Sequence, residues 1–378
     1  MTQRSLRVAS IDAVDAGAWN ALIGTDCPFL RHEFLAALEH NGCVGPGTGW
    51  EPAHLLLEDD AGLAGAVPAY LKSHSWGEFV FDFGWAQAYS RIGLSYYPKL
   101  VVAVPFSPAG GARLLQRPGS DPALARQLVT LIEREAANLS LSSAHVLFPH
   151  AADQLVLEEA GWLTRRDCQF HWENQGYADF EAYLATFTAE KRKKTRRERR
   201  RCEEAGISFR TLSGPELTPA LLDVIYGFHA QTFLRHGHTP YLNRAFFTEI
   251  ARTLGRQLMV KLAVRDDTPI AAAIFFWSDE ALYGRYWGSL DDYHSLHFEC
   301  CYHQGIEFCI ERGIRRFEPG TQGEHKISRG FAPQLTWSAH HIVDPRFRHA
   351  IADFLAREAP AIDAYADEAA RHTPFRRT

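Results

Sequence analysis

Apolar residues recur in two rhythms along this chain. Leu30, Phe34 and Leu38 return every four positions, with Pro28 ahead of them and Gly42 behind, and predict a helix over 28–40. The stretch GCVGPGTGW at 42–50 reads as a loop, because a strand-like run follows it and the G-K-S/T of a phosphate loop is missing. Apolar-rich runs at 53–59 and 63–72 flank Asp60–Gly62 and predict a hairpin. Two more strands follow over 78–83 and 99–106. The chain then reads as a helix at 122–139 behind an Asp121 cap, a strand at 142–148, a helix at 151–160 stopped by Gly161, and a strand at 164–172.

The same order returns after residue 200. A hairpin of 258–265 and 269–277 turns at Asp266–Thr268; a strand at 281–287, a helix at 294–312 ending at Gly313, a strand at 314–318, a short helix at 322–329 and a strand at 335–342 come next. A helix over 345–369 closes the chain. Each half therefore reads hairpin, strand, helix, strand, helix, strand. This predicts a mixed α/β protein built from two copies of one fold, one domain over 1–176 and a second over 177–378. Between them Phe180, Tyr183 and Leu184 form a small amphipathic turn. The helix-favouring run at 189–205 is polar all round, as a solvent-exposed bridge is, with Glu190–Lys194, Arg199–Glu203 and Arg200–Glu204 as supporting pairs.

Composition narrows the class. With 378 residues, 46% of them apolar and 24 of them Phe, the chain can bury two ordinary cores and is not a disordered protein. No apolar run approaches the roughly 18–20 residues that cross a bilayer. Acids occupy the N-terminal stretch where an export signal would be apolar, so a soluble, cytoplasmic protein is expected. Seven cysteines without a C-x-x-C argue against a disulfide framework or a structural zinc site. The net charge of −5 hides one block: residues 191–201 hold nine bases and a single acid, Glu198. Such a block marks a surface for polyanions or for an acidic partner.

The strong catalytic signatures are missing. There is no G-x-S-x-G elbow, no Walker A and no G-x-G-x-x-G opening a helix, and His32–Glu33 has Ala36 where a zinc helix needs its second histidine. Chemistry should then rest on positioning and acid–base work, with no metal and no tightly bound cofactor. The densest polar cluster lies in 285–308 and 315–331. Arg285 and Trp287 lie near a strand end, where α/β sites collect ligands. Glu299, His303 and Glu307 share one helix face and read as a half-buried stripe rather than a metal set, which would use Glu-x-x-His spacing. Glu318 leaves a strand beside Pro319–Gly320, and Gly320 and Gly323 permit close backbone approach. Glu324, His325 and Lys326 open a short helix whose N–H groups suit an anion or an oxyanion, with Lys326 and Arg329 adding charge. In the first half, Gly110, Gly111 and Arg113 lead from a strand toward a helix and offer amides and a guanidinium to a pyrophosphate.

These blocks resemble the FemAB-like N-acyltransferases of peptidoglycan biosynthesis or recognition, within the GCN5-related N-acetyltransferase (GNAT) superfamily. The carrying residues are PFLRHEFLAALE (28–39), VPFSPAGGARLL (104–115), SSAHVLF (142–148), KRKKTRRERRR (191–201), HGHTPYL (236–242), YWGSLDDYHSLHFECCYHQGIEFCIERG (286–313) and RFEPGTQGEHKISRGF (316–331). The resemblance implies two tandem GNAT-like domains with a basic helical arm, and transfer of an acyl or aminoacyl group from acyl-CoA or aminoacyl-tRNA to an amine, as in a bacterial peptidoglycan precursor. The Gly110-Gly111-Ala112-Arg113 loop stands where such folds hold acyl-CoA, although its spacing departs from theirs. From position, Glu318 or His325 is expected as the base, amides of Gly320–Gly323 as oxyanion donors, and Tyr286 as the acid for the leaving group. Arg285, Trp287, Gly320, Gln322, Gly323, Lys326 and Arg329 are expected to bind substrate. So are His238 and Tyr241 in the RHGHTPY loop, which suits stacking. The basic run either grips tRNA or packs within the protein. A non-catalytic module that binds a precursor, glycan or nucleotide is the alternative from another class.

Overall fold

Strand pairing follows the alternation closely in the residues that the computed structural model describes, 4–24, 27–321 and 323–376. In the first unit His54–Asp59 and Gly62–Val67 form the expected hairpin, and Arg4–Val8 pairs on its outer side. Pro68 divides the single strand expected over 63–72, because it has no N–H for the ladder. Ala69–Lys72 turns instead to pair with Lys99–Val102 and Trp50–Pro52. Lys99–Val102 in turn runs parallel to Ser143–Leu147. The helix Ala123–Asn138 buries Leu124, Leu128 and Ile132 against Leu55, Leu57, Val67 and Val146.

One expected strand is absent. Residues 78–83 form no strand; Phe83–Arg91 starts a helix instead. The alternation of Phe79, Phe81 and Phe83 looks like a strand face, but Glu78 and Asp82 turn inward onto the Lys99 ammonium, and that burial sets the backbone. The last helix, Pro345–Arg371, packs Phe347, Ile351 and Leu355 against Trp85, Tyr89 and Tyr96.

In the second unit Ile207–Ser213, Leu258–Arg265, Thr268–Trp277 and Ala281–Ser289 pair antiparallel in succession. Arg316–Glu318 then joins parallel to Ala281–Tyr283, and Trp172–Glu173 pairs on its far side. Two helices had no counterpart in the sequence reading, Pro219–Arg235 and Arg244–Thr253, although Thr218 caps the first and Pro219 opens it. The first lies directly on the sheet: a Cβ at Gly288 would stand 1.9 Å from the Phe228 carbonyl oxygen, so only glycine fits. Phe170, Trp172, Tyr183, Phe275, Ile306, Phe317 and Phe331 form the core of this unit. Among the described residues no helix is long and apolar enough to cross a membrane.

The two units are made of Met1–Asp167 with Leu335–Ala364, and of Cys168–Gln334 with Tyr365–Thr378. The chain therefore changes unit three times, where one change near residue 176 was expected. Two long strands carry the first two changes, and the last helix, Pro345–Arg371, carries the third between Ala364 and Tyr365. Leu163–Glu173 begins in the first unit and ends paired in the second, whereas Ala332–Ile342 begins in the second and ends paired with Ser143–Leu147 in the first.

Candidate active site

Two parallel strands part in the second unit. Ala281, Leu282 and Tyr283 pair with Arg316, Phe317 and Glu318, and there the ladder stops. The longer strand continues to Ser289, with its register shifted between Ile274 and Phe275 of its neighbour. The shorter one gives way to Pro319 and Gly320, the latter at φ +101°, a conformation that favours glycine. A cavity of about 130 Å³ opens in the gap, lined by Gly284, Arg285, Tyr286, Trp287 and Pro319 together with helix residues. Among the described residues no strand pairs with 284–287 on that side; the Gly284 carbonyl accepts from Arg285 Nη1 at 2.9 Å and the Trp287 carbonyl from the Thr232 hydroxyl at 2.8 Å.

The helix side is built by an irregular turn. Leu296–Phe298 and Gln304–Arg312 are α-helical, and Glu299–His303 between them is a π turn. Such a turn inserts a residue and rotates the faces on either side relative to each other, which recurs at functional sites. His297, Cys301 and Tyr302 line the cavity. Burial pulls the His297 imidazole down to about 4, so it is neutral at pH 7.

Beside this lining, and joined to it through Tyr302, lies the segment Glu324–Arg329, a 3-10 turn that starts from Gly323. Lys326 is 2% exposed, and its Nζ donates to the Gly320 carbonyl at 2.6 Å. Burial, helped by the nearby Arg285 charge, pulls its ammonium down to about 7. The neutral form is thereby favoured relative to that of an exposed lysine. His325 Nε2 is hydrogen-bonded to the Tyr302 hydroxyl at 2.8 Å. Burial, with Lys326 and Arg329 close by, lowers the His325 imidazole, whereas burial pushes the Tyr302 phenol well up. Glu318 is 3% exposed; one carboxylate oxygen takes the Arg316 Nε–H at 2.9 Å and the other, Oε2, is buried with no hydrogen-bond partner among the described residues.

Most of the expected site is thus brought together. Arg285, Tyr286 and Trp287 line the cavity, Glu318 ends the parting strand, and Gly320 is held by Lys326, itself next to His325. Arg329 lies one layer behind, its guanidinium 3.5 Å above the Phe298 ring. Gln322 lies outside the described residues. A six-residue 3-10 turn has little of the helix dipole expected there, so the charge at this end comes from side chains. His238 and Tyr241 are not in the cavity lining: the His238 amide closes a turn onto the Phe233 carbonyl, and the Tyr241 ring packs on Phe233. His297 and Tyr302 were not anticipated. Their only sequence signal is their place on the helix after strand 281–289, and the π turn that aims them is not written in any spacing.

Gly110, Gly111 and Arg113 belong to the first unit. Arg113 is fully buried and donates to the carbonyls of Leu147, Ala109 and Ala112, while the Gly111 amide donates to Phe148. Asp153 accepts from the amides of Arg113 and Leu114. These groups brace their own loop, so the geometry lends nothing to the pyrophosphate-holding role expected of them.

The basic run forms the helix Ala189–Glu204. It is not polar to solvent all round: Thr195, Glu198 and Cys202 are buried. Arg199 bonds to Glu299 and Glu307 rather than pairing only along its own helix, while Arg200 makes the expected pair with Glu204 at 3.4 Å. The Glu299–His303–Glu307 stripe is therefore the seam on which this helix lies. Lys193, Lys194, Arg196, Arg197 and Arg200 remain exposed.

Both units place a parallel strand pair beside antiparallel ones, so the chain is a mixed α/β protein of two units, with the basic helix lying on the second. The chain belongs to the FemAB-like family, described as peptidoglycan biosynthesis/recognition, whose sequence model matches residues 10–377. The fold is similar to that of FemX, with a TM-score of 0.56 and 9% identity over 92% of this chain and 100% of that one. It is also similar to L-PGS from Bacillus licheniformis, with a TM-score of 0.54 and 11% identity over 90% and 95% of the two chains. A conserved protein of unknown function from Bacteroides thetaiotaomicron gives 0.54 and 10% identity over 90% and 100%. At such identities the likeness is one of fold. No curated protein matches the chain in sequence.

Proposed function

We propose that this protein is an N-acyltransferase that moves an acyl or aminoacyl group from acyl-CoA or aminoacyl-tRNA to an amine, in the cytoplasmic steps of peptidoglycan metabolism. The observation that carries the reading is Lys326, buried and bonded to the Gly320 carbonyl beside the point where the parallel strands part. Aminolysis needs a neutral nitrogen, a base for its proton and donors for the oxyanion. Oε2 of Glu318 orients the incoming amine, and Lys326 in its neutral form takes the proton. Main-chain N–H groups along 284–287 and at Gly320 hold the oxyanion. The Tyr302–His325 pair supplies the proton to the departing thiol or ribose hydroxyl, with Arg285, Tyr286 and Trp287 shaping the pocket. In this reading Lys326 takes the role expected of Glu318 or His325. The family description supports an acceptor drawn from peptidoglycan precursors, and the exposed face of the basic helix supports a polyanionic donor such as tRNA.

The test is incubation with acetyl-CoA or aminoacyl-tRNA and a UDP-linked muropeptide, followed by mass spectrometry. A product heavier by the acyl or aminoacyl mass is expected, and Lys326→Met should abolish it. Thermal stabilisation by the muropeptide without product from either donor would make the protein a binder and sink the transferase reading.

A further inference from the structure

A single acid stands among the nine bases of 191–201, and it turns inward. Glu198 lies between exposed arginines and lysines, yet it is buried together with Thr195 and Cys202 on the inner face of the helix. Its carboxylate spans two elements of the site. Oε1 takes Arg329 Nη2 at 2.7 Å, and Oε2 lies 3.1 Å from His303 Nε2 in the π turn. Arg329 is itself buried, and its Nη1 donates at 2.7 Å to the carbonyl of His325. His325 bonds in turn to Tyr302, which lines the cavity. An unbroken chain of charged and hydrogen-bonded groups thus runs from the basic helix to the turn that carries Lys326. Both members of the Glu198–Arg329 pair are out of water, so neither can leave the other without stranding a buried charge.

We propose that Glu198 is a positioning residue, which fixes Arg329 from the basic helix and through it holds the His325–Lys326 turn in place; its bearing on rate rests on the transferase reading. The charge count of the basic run then has a division of labour. The outward bases face solvent, and the lone acid ties the helix to the catalytic turn. Whatever moves the helix is felt at His325.

The test is Glu198→Gln, read in two ways. Proton NMR follows the His325 ring signals, assigned with His325→Gln, and steady-state kinetics separates kcat from the donor KM. The expected result is a shifted His325 signal and a kcat at least tenfold lower, with the donor KM within twofold of wild type. Arg329→Gln should give the same His325 shift, and the double variant no more than either alone. A role confined to the helix seam predicts a change at His303 only, with His325 and kcat as in wild type, and that result overturns the proposal. Should Glu198→Gln not fold, Glu198→Asp keeps the charge but draws the carboxylate back by one methylene; an unmoved His325 signal in that folded variant overturns it equally. If wild type turns over no donor, the transferase reading fails by itself, and the His325 shift still decides the positioning role.

Discussion

Each unit buries a lysine at a parallel strand pair, and the two lysines have opposite fates. Lys99 opens the strand that runs beside Ser143–Leu147, and its Nζ meets Glu78 at 2.8 Å as well as Asp82. Burial works against its charge, but the two carboxylates outweigh it and hold the ammonium above its usual range. Tyr96 and His145 extend this cluster through hydrogen bonds, with His340 beyond, and the whole is locked. Among the described residues Lys326 Nζ donates to a carbonyl oxygen and has Arg285 nearby, so burial prevails and its pKa falls to about 7. The same residue type is thus held charged in one unit and drawn toward its neutral form in the other. Counter-charge, not burial, makes the difference. Lys72 of the first unit shares the low value of about 7, but it lies 3.8 Å above the Trp50 ring and donates to the Trp76 carbonyl.

The comparison breaks most readily at Lys326. Lys326→Met should lower turnover about 100- to 10,000-fold, the range a positioned acid–base group contributes, while the protein unfolds at no lower urea concentration than wild type. A variant that keeps its rate would remove Lys326 from the chemistry. Lys99→Met should do the reverse. It strands two buried carboxylates and should cost about 3–5 kcal/mol of stability, measured as the loss in urea-derived unfolding free energy. Glu318→Gln, which keeps the shape and removes the charge, should reduce kcat/KM by about 10- to 100-fold, as expected for the loss of a charged hydrogen bond.

Titration sharpens the contrast, because the two lysines tilt stability in opposite directions. Lys326 has its folded value, about 7, below the value near 10.4 that a lysine has when unfolded. The unfolded chain then binds more protons between those two values, so this group makes stability rise with pH across that window. Lys326→Met should therefore gain on wild type most below pH 7, and the gain should fade toward pH 10. Lys99 is raised, so its stabilisation is full below the unfolded value and is lost as pH climbs through the folded one. Urea unfolding at pH 6, 8 and 9.5 reads the Lys326 slope, with the Lys99 contribution constant over that range, and a pH-independent difference between wild type and Lys326→Met would contradict the assignment. The smallest effect is expected on the outer face of the basic helix. Arg196→Glu with Arg200→Glu removes two exposed ion pairs and should change stability by less than about 1 kcal/mol. With aminoacyl-tRNA as donor it should raise KM and flatten the salt dependence by about 0.7–0.9 log units for each phosphate no longer neutralised.

How much of this was legible depends on the range over which a signal acts. The hairpins at 54–67 and 258–277, the helices at 123–138 and 151–159, and the basic helix at 189–204 follow from periodicity and turn residues within a dozen positions. The same local reasoning failed at 78–83, where the aromatic alternation imitates a strand but the fate of two acids depends on a lysine some twenty residues away. It passed over Pro219–Arg235, whose start signals were present at Thr218 and Pro219. Of the site, Glu318, His325, Lys326 and the 285–287 strand were recognisable, since polar residues at a strand end beside glycines stand out. Their ranking was not recognisable.

The order of residues by itself determined an α/β chain of two similar halves, the elements that alternate within each, and a helix with nine bases and one acid between 191 and 201. Only the tertiary structure decided which lysine is drawn toward its neutral form, which way Glu198 faces, where the parallel strands separate, and that two strands begin in one unit and end in the other. The reason is electrostatic and geometric. A helix or strand is specified by neighbours along the chain, whereas the protonation of a buried group depends on which charges from distant segments come within a few ångströms of it, and on how many come.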